Sequence, residues 1–230
     1  MTLLHIEGIV DGYGEADILR GIDLDVAPSE IVTVAGASGA GKSTLIKALM
    51  GLVRRCSGRM MFDGHDLLRL APEDRVGIGY VPQVANVFGS LSVLDNLKVL
   101  EGVPRRAQRI TKMLEQFPAQ AACRTVSACA LSGGERQQLA FARAMMARPH
   151  MVLLDEPTAA RSPNLMSQAF ELIKTVPARS TAVLLVEQRA RQALSISQRS
   201  YILDQGRVVM QGPAGELLAD PRLARLYLGG

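Results

Sequence analysis

The sequence predicts an α/β fold: a mainly parallel sheet core covered by helices on both faces, an antiparallel β portion near the N-terminus, and an inserted helical lobe. Three observations predict it. Two early stretches alternate apolar and polar residues in the manner of half-exposed strands. Further on, short apolar runs alternate with amphipathic helical stretches, the order that builds parallel sheets. Between them, one β-branched run opens directly into a glycine-rich loop and then a helix.

Taken in order, "LLHIEGIV" alternates, and so does "GIDLDVAP", which places Ile22, Leu24 and Val26 on one face. The run Ile31 to Val34 meets the loop "GASGAGKST", and Leu45, Leu49 and Leu52 then recur at helical spacing. "SGRMMFDGHDL" reads as a strand reaching an Asp63-Gly64 turn. A helix starts at Ser92, with Asp95 at capping-box spacing. From there to about Ala130 no strand-like run occurs, so residues of about 86–130 are expected to form a helical lobe inserted between 1–85 and 131–230. "GGERQQLAFARAMMARP" reads as helical up to Pro149, and "HMVLLDEP" as a short apolar strand ending in two carboxylates. Ser162 as N-cap and Pro163 at the first helical position open a helix whose stripe is Leu165, Met166, Ala169, Phe170, Ile173 and Val176. "VLLVEQRA" is a second buried strand with a polar end, "YILDQGRVVMQG" a hairpin, and two short helical segments follow. In a sheet of this type ligands bind beyond the carboxyl ends of the strands.

Composition narrows the function classes. Aromatics make up 4% and Trp is absent, which argues against a base-stacking nucleic-acid surface, and a net charge of +4 is too mild to argue for one. The basic stretch "PRRAQR", Pro104 to Arg109, reads as a solvated helix face. The alternative reading is a contact with membrane headgroups or a partner. Three cysteines, Cys56, Cys123 and Cys129, form no C-x-x-C pair and fit a reduced compartment. "MTLLHIEGIV" lacks the basic n-region of a signal peptide, and no apolar run approaches the roughly 18 residues of a membrane span. A cytosolic chain is expected, with any membrane role left to a partner.

The motifs specify the chemistry. Gly36, Ala37, Ser38, Gly39, Ala40, Gly41, Lys42, Ser43 and Thr44 match G-x-x-x-x-G-K-[ST] with a strand before and a helix after, which makes the α/β core a P-loop NTPase. The glycines let backbone N–H groups wrap a polyphosphate at a helix N-terminus. Lys42 supplies a point charge for the β- and γ-phosphates, and the Ser43 hydroxyl can ligate Mg²⁺. Asp155 and Glu156 end the apolar run "MVLLDEP". Beside a P-loop, Asp155 suits Mg²⁺, mostly through water, and Glu156 suits polarising the attacking water. Leu131, Ser132, Gly133, Gly134, Glu135 and Gln137, in "LSGGERQ", open a second helix whose N–H groups form another anion site.

That heptad, placed between the P-loop and the "MVLLDEP" strand, resembles the signature of ABC-type ATPases, and the resemblance runs over essentially the whole chain, 1–230, as a single ABC ATPase domain. It implies that two nucleotide-binding domains pair head to tail, homo- or heteromeric, each signature capping ATP held by the other P-loop. It also implies that Tyr13 stacks on adenine and that Gln83 in "GYVPQ" reaches Mg²⁺ or the attacking water. The helical lobe is then expected to sit on a permease, with a groove near Gln83 taking the permease's coupling helix. The family usually has His where this chain has Gln188. Gln can donate and accept but cannot titrate, so Gln188 is expected to donate to the γ-phosphate, which leaves Glu156 as the base. Glu187, one residue away, should point to the opposite face of its strand.

"LLVEQRARQAL", "MFDGHDL" and the terminal "RLYLGG" look like the ATPases of branched-chain (hydrophobic) amino acid importers. The chain departs from them at Arg189, at "EPTAARSP" with Arg161, and at "PQVANVF". The resemblance implies ATP and Mg²⁺ as ligands and an extracytoplasmic solute-binding protein as an indirect partner. It implies no nucleic acid, and a peripheral location at the cytoplasmic face of the inner membrane. The alternatives are the ATPase of another ABC transporter, for a different solute or a lipid, and a soluble non-transport ABC ATPase. The long coiled-coil insertions or tandem cassettes usual in the last class find no room in 230 residues.

Overall fold

A computed structural model describes residues 2–13, 16–53, 56–84, 86–159 and 162–228; the side chain of Tyr13 and the whole of Arg161 lie outside the described residues. Alternation makes the first sheet. β1 (Leu4–Tyr13) and β2 (Ala16–Val26) form an antiparallel ladder in which Ile6 faces Leu24 and Ile9 faces Ile22. Ile22, Leu24 and Val26 are buried while Asp23 between them is exposed. β3 (Ile31–Gly36) leaves for a second sheet, buried at every position, and runs through the glycine loop into α1 (Lys42–Leu49). β4 (Cys56–Phe62) returns to β1. The short β5 (His65–Asp66) follows the Asp63–Gly64 turn, in which both residues have positive φ, giving the order β2-β1-β4-β5.

The second sheet is the parallel one. After β6 (Ile78–Val81) come α2 (Val93–Lys98), α3 (Arg106–Gln116), α4 (Pro118–Ala122) and the longer α5 (Gly133–Met145). Then β7 (Met151–Asp155), α6 (Pro163–Lys174), β8 (Ala182–Glu187) and α7 (Ala190–Leu194) alternate. The hairpin β9 (Arg199–Asp204) and β10 (Arg207–Pro213) and the helices α8 (Ala214–Ala219) and α9 (Pro221–Leu228) end the chain. The strand order is β10-β9-β3-β8-β7-β6, parallel from β9 to β6 with β10 antiparallel at the edge. Because side chains alternate across a strand, the buried strands feed two cores. Leu153, Leu184 and Val186 pack with α1 and the first sheet, whereas Val152, Leu154, Val183 and Leu185 pack with α5 and α6.

Four details depart from the sequence reading. Leu52 lies beyond α1 and is 59% exposed. Gly51 at φ 70 ends the helix in a Schellman motif, with Leu52 N–H on the Lys47 carbonyl and Gly51 N–H on that of Ala48. α5 stops at Met145, short of Pro149: the chain turns out of the helix there, with Arg148 at φ 52 and its N–H on the Met145 carbonyl at 3.2 Å. Arg109, read as part of a solvated face, instead caps the end of α5, donating Nη2 to the Met145 carbonyl at 2.6 Å and Nε to that of Met146 at 3.1 Å. Ser162 is the N-cap residue of α6, with Pro163 at the first turn, but its side chain makes no cap hydrogen bond.

Arg75 does the corresponding work for α1, and the sequence gives no sign of it. It is buried, and its Nη1 donates to the carbonyls of Ala48 at 2.8 Å and Leu49 at 2.6 Å. A Cβ on Gly51 would sit 2.8 Å from its guanidinium carbon. Arg75→Met leaves those carbonyls without their donor, so urea unfolding should show a loss of about 1–3 kcal/mol. An unchanged midpoint would show that the cap carries no stability.

Candidate functional site

The in-phase parallel register sets the site. Ala35 pairs with Glu187, Asp155 with Val186, and Val81 with Leu154, so β3, β8, β7 and β6 all deliver their carboxyl ends to one edge. The glycine loop leaves β3 at Gly36, where a Cβ would come within 2.4 Å of the Leu203 carbonyl oxygen. Gly39 and Gly41 take positive φ of 81 and 103, conformations that L side chains resist. The β9–β10 turn braces the loop: Gly206 N–H donates to the Ala40 carbonyl at 3.0 Å.

Lys42 is 4% exposed, and its ammonium donates to the Gly36 and Ala37 carbonyls, both at 2.9 Å. It also lies 3.3 Å from Glu156 Oε1. The other carboxylate oxygen of Glu156 accepts from Gln83 Nε2 at 3.1 Å. Glu156 itself sits at φ 45, its N–H on the Val186 carbonyl at 2.9 Å. A left-handed non-glycine residue costs of order 1–3 kcal/mol and is held by its surroundings. Here it turns the carboxylate out of the strand end and over the loop. Ser38, Gly39, Lys42 and Thr44 bound one side of the resulting open cleft, and Gln83 and Glu156 the other. Ile18 of β2 also lines it, a residue that nothing in the sequence marks.

Asp155 is buried and accepts from Ser43 Oγ at 3.2 Å. Burial pushes its carboxyl above the ordinary range. The Ser43 hydrogen bond opposes this, the Glu156 charge adds to it, and Lys42 and Lys47 oppose it. The neighbouring Tyr80 phenol is pushed up to about 12, by burial first and by the Asp155 charge second. Among the described residues no group of three or more His, Cys, Asp or Glu could hold a metal by itself. The Ser43 hydroxyl and Asp155 carboxylate are nonetheless a hard-oxygen pair beside a phosphate loop. That fits Mg²⁺, which takes one or two protein oxygens and completes its shell with water and substrate phosphates.

The remaining predicted residues lie elsewhere. Tyr13 has its backbone at the end of β1, paired with Ala16. Ser132 caps α5 in a full capping box: its Oγ accepts from Glu135 N–H at 3.3 Å, and Glu135 Oε2 accepts from Ser132 N–H at 2.8 Å. The hydrogen bonds from Ser132 hold the Glu135 carboxyl below its ordinary range. Gly134 lets Leu165 approach, since a Cβ there would lie 2.8 Å from Leu165 Cδ2. Leu131 is buried, and Gln137 is turned inward, donating to the Pro157 carbonyl at 2.8 Å. None of Leu131 to Gln137 lines the loop cleft of this chain. Gln188 is exposed and borders a separate groove with Arg189, Leu223 and Ala224. Glu187 does face away from it, buried against Thr158, a contact the sequence reading missed. A carboxylate directly after four apolar residues was the available signal.

The chain is similar to known proteins along its whole length. Residues 19–159 match the family model described as ABC transporter. The chain is 36% identical over 233 residues to the high-affinity branched-chain amino acid transport ATP-binding protein BraG of Pseudomonas aeruginosa, covering 99% of this chain and 100% of that one. It is 35% identical over 234 residues to the lipopolysaccharide export system ATP-binding protein LptB of Acidithiobacillus ferridurans, covering 99% and 97%. Among solved structures, the ADP conformation of MJ1267, an ATP-binding cassette of an ABC transporter, superposes over all of both chains with a TM-score of 0.86 and 26% identity.

The electrostatics of Asp155 can be checked without any ligand. A carboxyl whose folded pKa lies above its unfolded value binds more protons when folded, so stability falls as pH rises through that window and the full penalty is present above it. Asp155→Asn removes the penalty and should melt higher than the parent at pH 7–8. The gain should shrink as pH drops below the carboxylate range. A melting temperature at or below the parent's across that range would contradict the assignment.

Proposed function

The chain belongs to the ABC transporter family and is an ATPase; on that premise we propose that it energises a membrane importer, with branched-chain or other hydrophobic amino acids as the solute. The observation that carries the enzymatic reading is the Glu156 carboxylate, held between Lys42 and Gln83 at the mouth of the P-loop cleft. The importer reading rests on the likeness to BraG along the whole of both chains.

In the proposed reaction the backbone N–H groups from Ala37 to Thr44 wrap the polyphosphate, and Tyr13 takes the adenine face. Lys42 exchanges its carbonyl partners for the β- and γ-phosphates. Ser43 and Asp155 would hold Mg²⁺, with Gln83 reaching toward it, and the ion when bound offsets phosphate charge. Water attacks the γ-phosphorus, the bond to the bridging oxygen breaks, and ADP and phosphate leave. The proton of the attacking water passes to Glu156, which Gln83 orients. Gln188 donates to the γ-phosphate as a neutral group.

A second copy, or a different ABC ATPase, supplies Ser132 and the N–H groups of Gly133 and Gly134 at the start of its α5. Leu131, Glu135 and Gln137 fix that helix start. ATP binding closes the pair, and hydrolysis with release reopens it. The lobe of about 86–130 transmits the motion to permease subunits loaded by an extracytoplasmic solute-binding protein. The place proposed from the family is peripheral, on the cytoplasmic face of the membrane; no helix among the described residues is long and apolar enough to cross a membrane. The similarity to LptB favours one other reading, lipid or lipopolysaccharide export. Co-reconstitution with the permease that copurifies with the chain separates the two: ATP-dependent uptake of labelled leucine supports import. ATPase activity stimulated by lipopolysaccharide, without uptake, overturns it.

Glu156→Gln should nearly abolish steady-state ATPase activity while ATP still drives dimerisation. Gln188→Ala should lose roughly 10²–10³-fold, as for one positioned donor. Substantial turnover in Glu156→Gln together with an inactive Gln188→Ala would reverse the assignment of the base.

A further inference from the structure

The segment Glu156–Pro157–Thr158 is tied down at three points. Glu156 N–H donates to the Val186 carbonyl at 2.9 Å. The Pro157 carbonyl accepts from Gln137 Nε2, in the signature helix, at 2.8 Å. The third tie is Glu187, whose Oε1 accepts from both Thr158 N–H at 3.0 Å and Thr158 Oγ1 at 2.7 Å. Glu187 is 1% exposed and Thr158 0%. A carboxylate buried this far is expensive unless paired or densely hydrogen-bonded. Burial, and behind it the like charge of Glu156, push its carboxyl above the ordinary range, against hydrogen bonds from Thr158 and from the Arg189 backbone. Packing alone would be served better by an apolar residue, as at the four positions before it. The short bonds to one anionic acceptor are instead strong and directional.

We propose that Glu187 is a positioning residue, a strut that locks the end of β8, and with it Gln188, to the loop that follows Glu156. The base before Thr158 and the donor after Glu187 then keep a fixed separation across the γ-phosphate. The inference rests on the ATPase reading of Glu156 and Gln188 and extends it to a residue outside the cleft. Neither Glu187 nor Thr158 lines the loop cleft, so the strut acts on turnover and leaves nucleotide affinity alone.

The test is a double-mutant cycle on the full chain, with ATP affinity and kcat measured separately for Glu187→Ala, Thr158→Val and the pair. Glu187→Ala should lower kcat by roughly 10- to 100-fold, the scale of a displaced catalytic geometry. ATP affinity should stay within about twofold. Thr158→Val should lower kcat in the same direction. The pair should be no worse than Glu187→Ala alone, since both remove one interaction. Glu187→Gln, which keeps an acceptor oxygen for Thr158, should recover much of the rate. Additive losses, a fall in ATP affinity matching the fall in kcat, or a wild-type kcat in Glu187→Ala would each overturn the strut. Should Glu187→Ala fail to fold, the cycle is run with Glu187→Leu, which fills the space but offers Thr158 no acceptor, and Thr158→Val under the same criteria. A parent chain without ATPase activity would refute the functional reading itself, a result distinct from any of these.

Discussion

The in-phase parallel registration of β6, β7, β8 and β3 is the constraint on which the rest depends. Parallel strands end on the same edge, and in this sheet each ends within a residue of its neighbour. The glycine loop, the Asp155–Glu156 pair, Gln83 and Glu187 are far apart in the chain and become neighbours only through that register. A slip of one residue would turn every core side chain to the wrong face, and the two packed cores on either side of the sheet forbid it.

That register concentrates charge. Asp155, Glu156 and Glu187 gather at strand ends, with Lys42 the ammonium set among them. Each carboxylate is managed differently. Asp155 is buried beside a hydroxyl, Glu156 is turned outward by a left-handed backbone, and Glu187 accepts two hydrogen bonds from Thr158 and one from the Arg189 backbone. Glu156 lines the cleft and Asp155 sits behind it on the cleft-lining Ser43, an arrangement that suits metal and water. The third faces inward and suits holding the other two in place. The helices that present their N-termini as anion sites are secured at the opposite end by guanidinium groups, Arg75 on α1 and Arg109 on α5. Their N–H groups are thereby aimed by contacts remote from any ligand.

The similarity to both an amino acid import ATPase and a lipopolysaccharide export ATPase has a physical source. The residues that fix nucleotide chemistry fill this fold, while solute recognition belongs to other subunits in the proposed assembly. In the proposed assembly, relatives with different cargo would need no change in such a cleft, and discrimination would fall to surfaces such as the proposed helical lobe.

By itself the sequence determined the α/β class, the P-loop, the paired carboxylates, the capped signature helix and the family. These are local signals, in which a periodicity, a cap or a contiguous motif fixes its own backbone. The tertiary structure decided what depends on residues distant in the chain. It placed Ile18 beside the loop and turned Gln137 inward to Pro157. It buried Glu187 against Thr158 and set Arg75 and Arg109 on helix ends. A hydrogen bond between residues tens of positions apart leaves no periodicity in either segment. Only the packed sheet, by bringing its strand ends together, specifies which donor meets which acceptor.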